Sequence, residues 1–305
     1  MDNSKKIIKP LKDKLMSVSL SLSAYTGEKI DHATSGEVDR QKNTKRETAK
    51  VVKKLIPKAA LGPIRALDKY IRSVHDTFTM SIGTGQSVLP AKAYVAYRNK
   101  MIGMFDERRR LVDQFISTEY PKIRMQAAVD MGDMYDSDEF PEPADLRQRF
   151  RTDIEVTPLP DNHKLLELCD IPEEDRSLIY QDAESRADKR MDTIRREAFT
   201  KLMEPIEHMA KILKDDGRMH PSLFANVSEI LDVAECFNLE GTDEFTSMIA
   251  SVRRKLVGAS LEDCRADKSA KEATAKKAAA AMEEIKDAMA GAFPAPNSTD
   301  KAVAA

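Results

Sequence analysis

The stretch from Pro90 to Met134, PAKAYVAYRNKMIGMFDERRRLVDQFISTEYPKIRMQAAVDMGDM, decides the fold class. From Tyr94 its bulky residues fall at Tyr94, Tyr97, Met101, Met104/Phe105, Leu111/Val112 and Phe115, in steps of three and four. That spacing holds one apolar stripe along a helix, the pattern of a bundle face or a coiled-coil seam. Arg108 interrupts the stripe, marking either the point where a helical arm leaves the body or a buried ion pair. The period resumes after Pro121 through Ile123, Met125, Ala128 and Val129, so Pro121 is a kink or a fresh helix start. Pro90 suits the first helical position, where a missing N–H costs nothing.

Working outward, Pro172 to about Lys214 reads as a second long helix, with Pro205 inside it. Its first half, Glu173 to Arg190, is polar almost all round, whereas Met191, Ile194, Ala198, Leu202, Met209 and Leu213 give the second half an apolar face. Such a helix projects at one end and docks at the other, and two long helices of this kind can pair as a hairpin. Upstream, Met16, Val18, Leu20 and Leu22 alternate with serines, the period of a half-buried strand. Phe150 to Pro158 alternates likewise and is its natural partner, and Thr77 to Ile82 is a second possible strand. Ser35 reads as the cap of a basic helix running to Ile56, and Leu61, Ile64, Leu67, Ile71 and Val74 supply a cleaner face on the next one.

Gly217 ends the second long helix, and Pro221 to Cys236 and Thr242 to Leu256 are shorter amphipathic helices. Thr242 is a candidate cap there, followed by Asp243 and Glu244 in the first turn. The expected organisation is a basic segment over 1–15, a mainly helical domain over 16–257 with long helices at about 90–134 and 172–214, and an Ala/Lys-rich tail over 258–305. That tail reads as a frayed or partner-dependent helix passing into disorder. The fold class is mainly α (α+β), an elongated helical hairpin or coiled coil with a small antiparallel sheet at its base.

Composition narrows the function classes. The 305 residues are 33% charged and 41% hydrophobic, with no Trp and only 11 Gly, which suits long exposed helices better than a compact α/β enzyme. Lys plus Arg is 49 against 51 for Asp plus Glu, so no global field favours nucleic acid or anionic lipid, and any such contact must be a local patch. Cys169, Cys236 and Cys264 are far apart and form no CxxC pair, which points to a reducing cytoplasm rather than to disulfides or zinc. The opening MDNSKKIIKPLKDK lacks the apolar run of a secretory signal, and no stretch approaches the roughly 20 apolar residues of a membrane span.

Candidate sites are few. The basic clusters are Lys5/Lys6/Lys9/Lys12/Lys14, Lys50/Lys53/Lys54/Lys58, Arg108/Arg109/Arg110, Arg195/Arg196 and Arg253/Arg254/Lys255. Several cations on one face can contact phosphates, but acids follow most of these closely, so a solvated helix face is the plainer reading. Lys5, Lys6, Lys9, Lys50, Lys53, Lys54 and Lys58 are the least neutralised and the residues expected to touch nucleic acid, if any do. The histidines at 32, 75, 163, 208 and 220 form no HxxxH or HExxH, and Glu204 with His208 supplies only two ligands. The acidic run Asp130 to Glu139 lacks the ligand spacing of a calcium loop, and Gly83-Thr-Gly85 is a GxG without the lysine of a phosphate loop. No metal site, cofactor or catalytic grouping is expected.

Several stretches taken together resemble an uncharacterised family of tailed phages and bacteria. They are Ser23-Ala-Tyr-Thr-Gly27, His75-Asp-Thr-Phe-Thr-Met80, Val88-Leu-Pro-Ala-Lys-Ala-Tyr94, Tyr135 to Pro143 leading to Phe150, Thr157-Pro-Leu-Pro-Asp161, and Arg218 to Asn238. The resemblance covers most of the chain up to about residue 257. After His75 this chain departs from the pattern, which has a Trp and an acidic turn there. The family carries a domain of unknown function and is encoded near AAA+ ATPases of the MoxR and cobaltochelatase types. The resemblance therefore implies an adaptor or substrate of such an ATPase and supplies no catalytic residues. The leading expectation is a non-enzymatic phage or prophage-type protein acting in the cytoplasm through protein contacts or self-association. The alternative is a nucleic-acid-binding protein of phage DNA replication or recombination.

Overall fold

The structure, a computed structural model, describes residues 14–45, 47–81, 87–159, 171–215, 217–239 and 241–293. Lys5, Lys6, Lys9, Gly83-Thr-Gly85, His163 and Cys169 lie outside them. In chain order come strands β1 (Leu15–Leu22) and β2 (Glu28–Asp31), helix α1 (His32–Gln41), strand β3 (Val51–Lys54) and helix α2 (Gly62–Phe78). Strands β4 (Met80–Ser81) and β5 (Ser87–Pro90) precede helix α3 (Tyr94–Gln114). A π-helical turn (Phe115–Glu119), α4 (Tyr120–Asp130), α5 (Pro143–Gln148) and strand β6 (Thr152–Pro158) follow. The remaining helices are α6 (Glu173–Lys214), α7 (Ser222–Ala234), α8 (Asp243–Leu256), α9 (Leu261–Ala266) and α10 (Lys268–Ala292). The protein is mainly helical with a small antiparallel sheet, as its periodicities indicate.

The sheet has the order β4-β5-β1-β6, so the two strands legible as alternating sequence are indeed neighbours. Val18 is buried while Ser19 and Ser21 are exposed, the half-buried strand that the alternation predicts. Two short strands complete the sheet: Leu15 pairs with Pro90 and Val18 with Ser87, and Met80 pairs with Val88. Pro90 therefore ends a strand instead of opening a helix, and α3 starts after a 3-10 turn at Ala91–Ala93.

The basic helix expected over Ser35–Ile56 is corrected to α1, a loop and β3. Asp31, not Ser35, is the cap, its carboxylate accepting from the Thr34 N–H at 3.0 Å. Ser35 instead donates to the Asp31 carbonyl and accepts from the Val51 N–H at 3.0 Å. The β-branched pair Val51-Val52 favours a strand, and β3 pairs antiparallel with β2, Ile30 opposite Val52 and Lys29 opposite Lys53. Gly27, at φ +71°, makes the turn into β2 possible, since a Cβ there would meet the Ile56 side chain at 2.7 Å.

The chain divides into two compact units interleaved in sequence: Met1–Ser19, Asp76–Val95 and Val156–Ala305 form the first, Leu20–His75 and Ala96–Glu155 the second. In the second unit, α2 buries Ile64, Ile71 and Val74 and α3 buries Tyr97, Met101, Met104 and Val112, the positions that the sequence spacing selects. Phe115, Ile116 and Tyr120 join Leu61, Ile64 and Phe150 in one core. Pro121 cannot donate a helical hydrogen bond, and the helix widens just ahead of it. The Tyr120 N–H bonds the Phe115 carbonyl in π register, and α4 restarts with Pro121 in its first turn. The apolar period does not continue as expected beyond it: Ala127 is buried, but Met125 and Val129 are 71% and 74% exposed.

In the first unit, α6 runs unbroken through Pro205 and buries Met191, Ile194, Ala198, Leu202, Met209 and Leu213, all six expected positions. Its neighbours within the unit are α10 and α7. Within the Ala/Lys-rich stretch, Lys268–Ala292 is thus a docked helix, not a frayed one: α10 packs Ala278, Ala281 and Ile285 inward, and small alanines let two helices approach closely. Ser251 and Lys255 of α8 both bond Glu284 of α10, and those bonds outweigh the desolvation that would raise its carboxyl, leaving it below the usual range. Among the described residues no helix is long and apolar enough to cross a membrane.

Candidate functional site

Arg108 and Asp68 each stand where an apolar stripe should continue, on α3 and α2 of the second unit, and both are buried. Arg108 Nε donates to Asp68 Oδ1 at 2.6 Å. Its Nη1 donates to the Phe150 carbonyl at 3.1 Å and Thr152 Oγ1 at 2.9 Å, and its Nη2 to the Ser23 carbonyl at 2.7 Å and Asp68 Oδ2 at 3.4 Å. A guanidinium has five N–H donors, and all are used here. Of the two sequence readings of Arg108, the buried ion pair is the one observed. It is a clasp, with no donor left for a ligand. Farther along the same two helices His75 Nδ1 and Tyr97 Oη lie 2.7 Å apart, both buried, and burial pushes the Tyr97 phenol up.

The lysines of β3 divide by face. Lys53, a sequence-selected phosphate contact, turns inward with a 10% exposed side chain, 3.2 Å from Glu139 and 3.4 Å from Asp31. Burial lowers the Lys53 ammonium, but its bonds to these two acids outweigh that and raise it. Asp31 is held below the usual carboxylate range, chiefly by the Thr34 N–H and further by Lys53. Lys50 and Lys54 are exposed, and Lys58 lies 3.8 Å from Glu28. Elsewhere acids answer the cations: Arg109 pairs with Asp106, Arg110 with Glu107, and Arg253 with Asp232. Of the acidic run, Glu139 serves Lys29 and Lys53, and Asp136 accepts from the Asp138 N–H. Among the described residues no group of three His, Cys, Asp or Glu could hold a metal ion. Burial pushes the Cys236 thiol up although Lys92 opposes it, so that thiol is a poor nucleophile near neutral pH.

A concave feature that the sequence did not disclose is in the first unit. A groove of about 520 Å³ opens between α6, α8, α10 and the turn joining α7 to α8. Phe199 of α6 is buried on its wall and meets Phe245 of α8 edge-on at 5.4 Å and Phe293, just beyond α10, edge-on at 6.3 Å. Arg196 lies 4.1 Å over the Phe293 ring, closing that flank with a cation–π contact. Met191, Ala198 and Leu239 add apolar wall, and Ala288, Gly291 and Ala292 keep the α10 side low.

The turn is built by one amide. Asn238 Oδ1 accepts from the Gly241 and Thr242 N–H groups at 2.9 and 3.0 Å, and its Nδ2 donates to the Thr242 carbonyl and Thr246 Oγ1 at 2.8 and 3.0 Å. Gly241, at φ +74°, supplies the left-handed conformation that this turn needs. Thr242 does precede α8, but its hydroxyl makes no capping bond; Asn238 fixes the helix entry instead. Arg195 of α6 and Glu244 of α8 both line the groove, Arg195 bonded to Asp192 at 3.0 Å. With the Asn238 amide spent on the turn, the wall offers mainly carbon. Such a surface recognises apolar shape flanked by two opposite charges. Only the Asn-x-x-Gly spacing hinted at the turn in the sequence, and nothing local announced the groove.

The chain matches no protein-family model, no curated protein and no solved structure with which it was compared.

Proposed function

We propose that this is a non-enzymatic, cytoplasmic phage or prophage-type protein that works by protein–protein contact, its groove receiving an amphipathic helix of a partner. The groove between α6, α8 and α10 carries the reading: it is about 520 Å³, open, and walled by Phe199, Phe245 and Leu239. Arg195 and Glu244 in its lining suit a helix whose apolar stripe is accompanied by an acid and a base. The sequence resemblance adds the partner class, an AAA+ ATPase for which the chain serves as adaptor.

Gly291 gives the test. A Cβ there meets nothing within 4 Å, and the residue lies on the groove wall inside α10. Gly291→Leu, one residue before the end of α10, therefore adds a side chain to the groove wall where there is room for it. A partner that binds the wild-type protein and loses at least tenfold in affinity for this stable variant supports the reading. Equal binding to both refutes it. Self-association through the long helices as a coiled-coil hairpin is the competing form of the same reading. Its sign is a dimer in light scattering that Gly291→Leu leaves intact.

A further inference from the structure

We infer that the loop after α1, together with β3 of the second unit, is a docking surface for the phosphate backbone of duplex nucleic acid. Between Arg40 and Lys58 the chain carries eight Lys and Arg residues and one acid, Glu47. Lys42, Lys45, Lys50 and Lys54 are all exposed, and among the described residues none has an acidic partner. Other surface cations are answered by acids, Arg109 by Asp106 a turn earlier on its own helix and Arg147 of α5 by Asp113 of α3. A near-neutral chain with an unanswered basic stretch has a local field where it lacks a global one.

The cations sit on an ordered frame. Asp39 gathers the loop that carries them, accepting from Thr44 Oγ1 at 2.9 Å, Thr48 Oγ1 at 2.9 Å and the Ala49 N–H at 3.0 Å. Lys53, locked to Asp31 and Glu139 on the inner face of β3, fixes the strand so that Lys54 and Val52 face outward with Ile30. Lys50 and Lys54 are thereby held about 13 Å apart along the extended chain. Cations held in place lose less freedom on binding than a floppy basic tail does.

The surroundings select the polyanion. No Phe, Tyr or Trp lies between Gly27 and Lys58, so there is no platform on which single-stranded bases could stack. The exposed apolar surface of the β2–β3 face is one cross-strand pair, Ile30 and Val52, too little for the broad apolar face that inserts into a lipid interface. A duplex backbone needs neither. It needs cations on one surface, and binding of that kind is independent of base sequence.

The full chain is titrated onto a short labelled duplex of arbitrary sequence over a series of salt concentrations, in parallel with single-stranded DNA and with phosphatidylserine vesicles. Duplex binding is expected at low salt and to fall steeply as salt rises. Replacing Lys42, Lys45, Lys50 and Lys54 together by Ala should weaken it by about tenfold or more and reduce the salt slope by about 4. Glu47→Gln should tighten it, and a Lys5/Lys6/Lys9 to Ala variant should retain the slope contributed by the loop. Absence of duplex binding at low salt, an unchanged slope in the quadruple variant, or vesicle binding through these lysines in place of duplex binding would each overturn the inference.

Discussion

Arg108 Nε lies 2.6 Å from Asp68 Oδ1, and the two side chains, each an interruption in the apolar stripe of its own helix, are answered by one another. The pair joins α3 to α2, and the same guanidinium reaches the carbonyls of Ser23 and Phe150. Arg108→Leu therefore does not mend the seam; it leaves Asp68 buried with its strongest partner gone. The variant should lose about 3–5 kcal/mol of stability in chemical denaturation, whereas Arg108→Met combined with Asp68→Leu should recover most of it. A single variant as stable as the wild type would show that the pair is not the clasp of this unit.

A second prediction concerns acid. The Asp31 carboxyl titrates below its ordinary value because the ionised form accepts from the Thr34 N–H and faces Lys53. A carboxyl depressed on folding contributes stability that is complete above its unfolded pKa and is lost as pH falls through the lower, folded one. Asp31's contribution should thus be complete above about pH 4 and decline below it. Asp31→Asn should be less stable at neutral pH and show a flatter acid limb. An acid limb identical in the variant and the wild type would exclude this carboxylate as a contributor.

How far the sequence discloses this molecule follows from where each signal is stored. Tyr97, Met101, Met104 and Val112 are buried as their spacing requires, and β1 finds β6, because period and alternation are local properties. Arg108 could be seen to be anomalous but not to be satisfied, since its partner Asp68 lies forty residues upstream on another helix. The strand β3 was obscured by its lysines: the four residues Val51–Lys54 hold only one side of a ribbon, and the pairing that makes them a strand comes from Glu28–Asp31. The groove could not be read at all. Its walls come from stretches around 191–199, 237–245 and 288–292, and no one of them is unusual alone.

The Ala/Lys-rich stretch offers a third prediction. Ile285 is fully buried in α10, with Ala278 and Ala281 on the same face. Ile285→Ala should cost about 2–5 kcal/mol, seen as a lowered thermal midpoint, while Lys276→Ala on the exposed side should change little. Were this segment frayed, both substitutions would be silent.

The groove beside Phe199 is the proposed docking place of a partner. Its most direct measurement runs wild type and Gly291→Leu side by side: retained proteins are identified from a host lysate, and the one lost from the variant is purified and titrated onto both chains by calorimetry. A helical partner, an AAA+ ATPase component, should be bound by the wild type and at least tenfold more weakly by the variant, a difference of about 1.4 kcal/mol or more. A partner bound equally well by both chains, or no protein that distinguishes them, would contradict it.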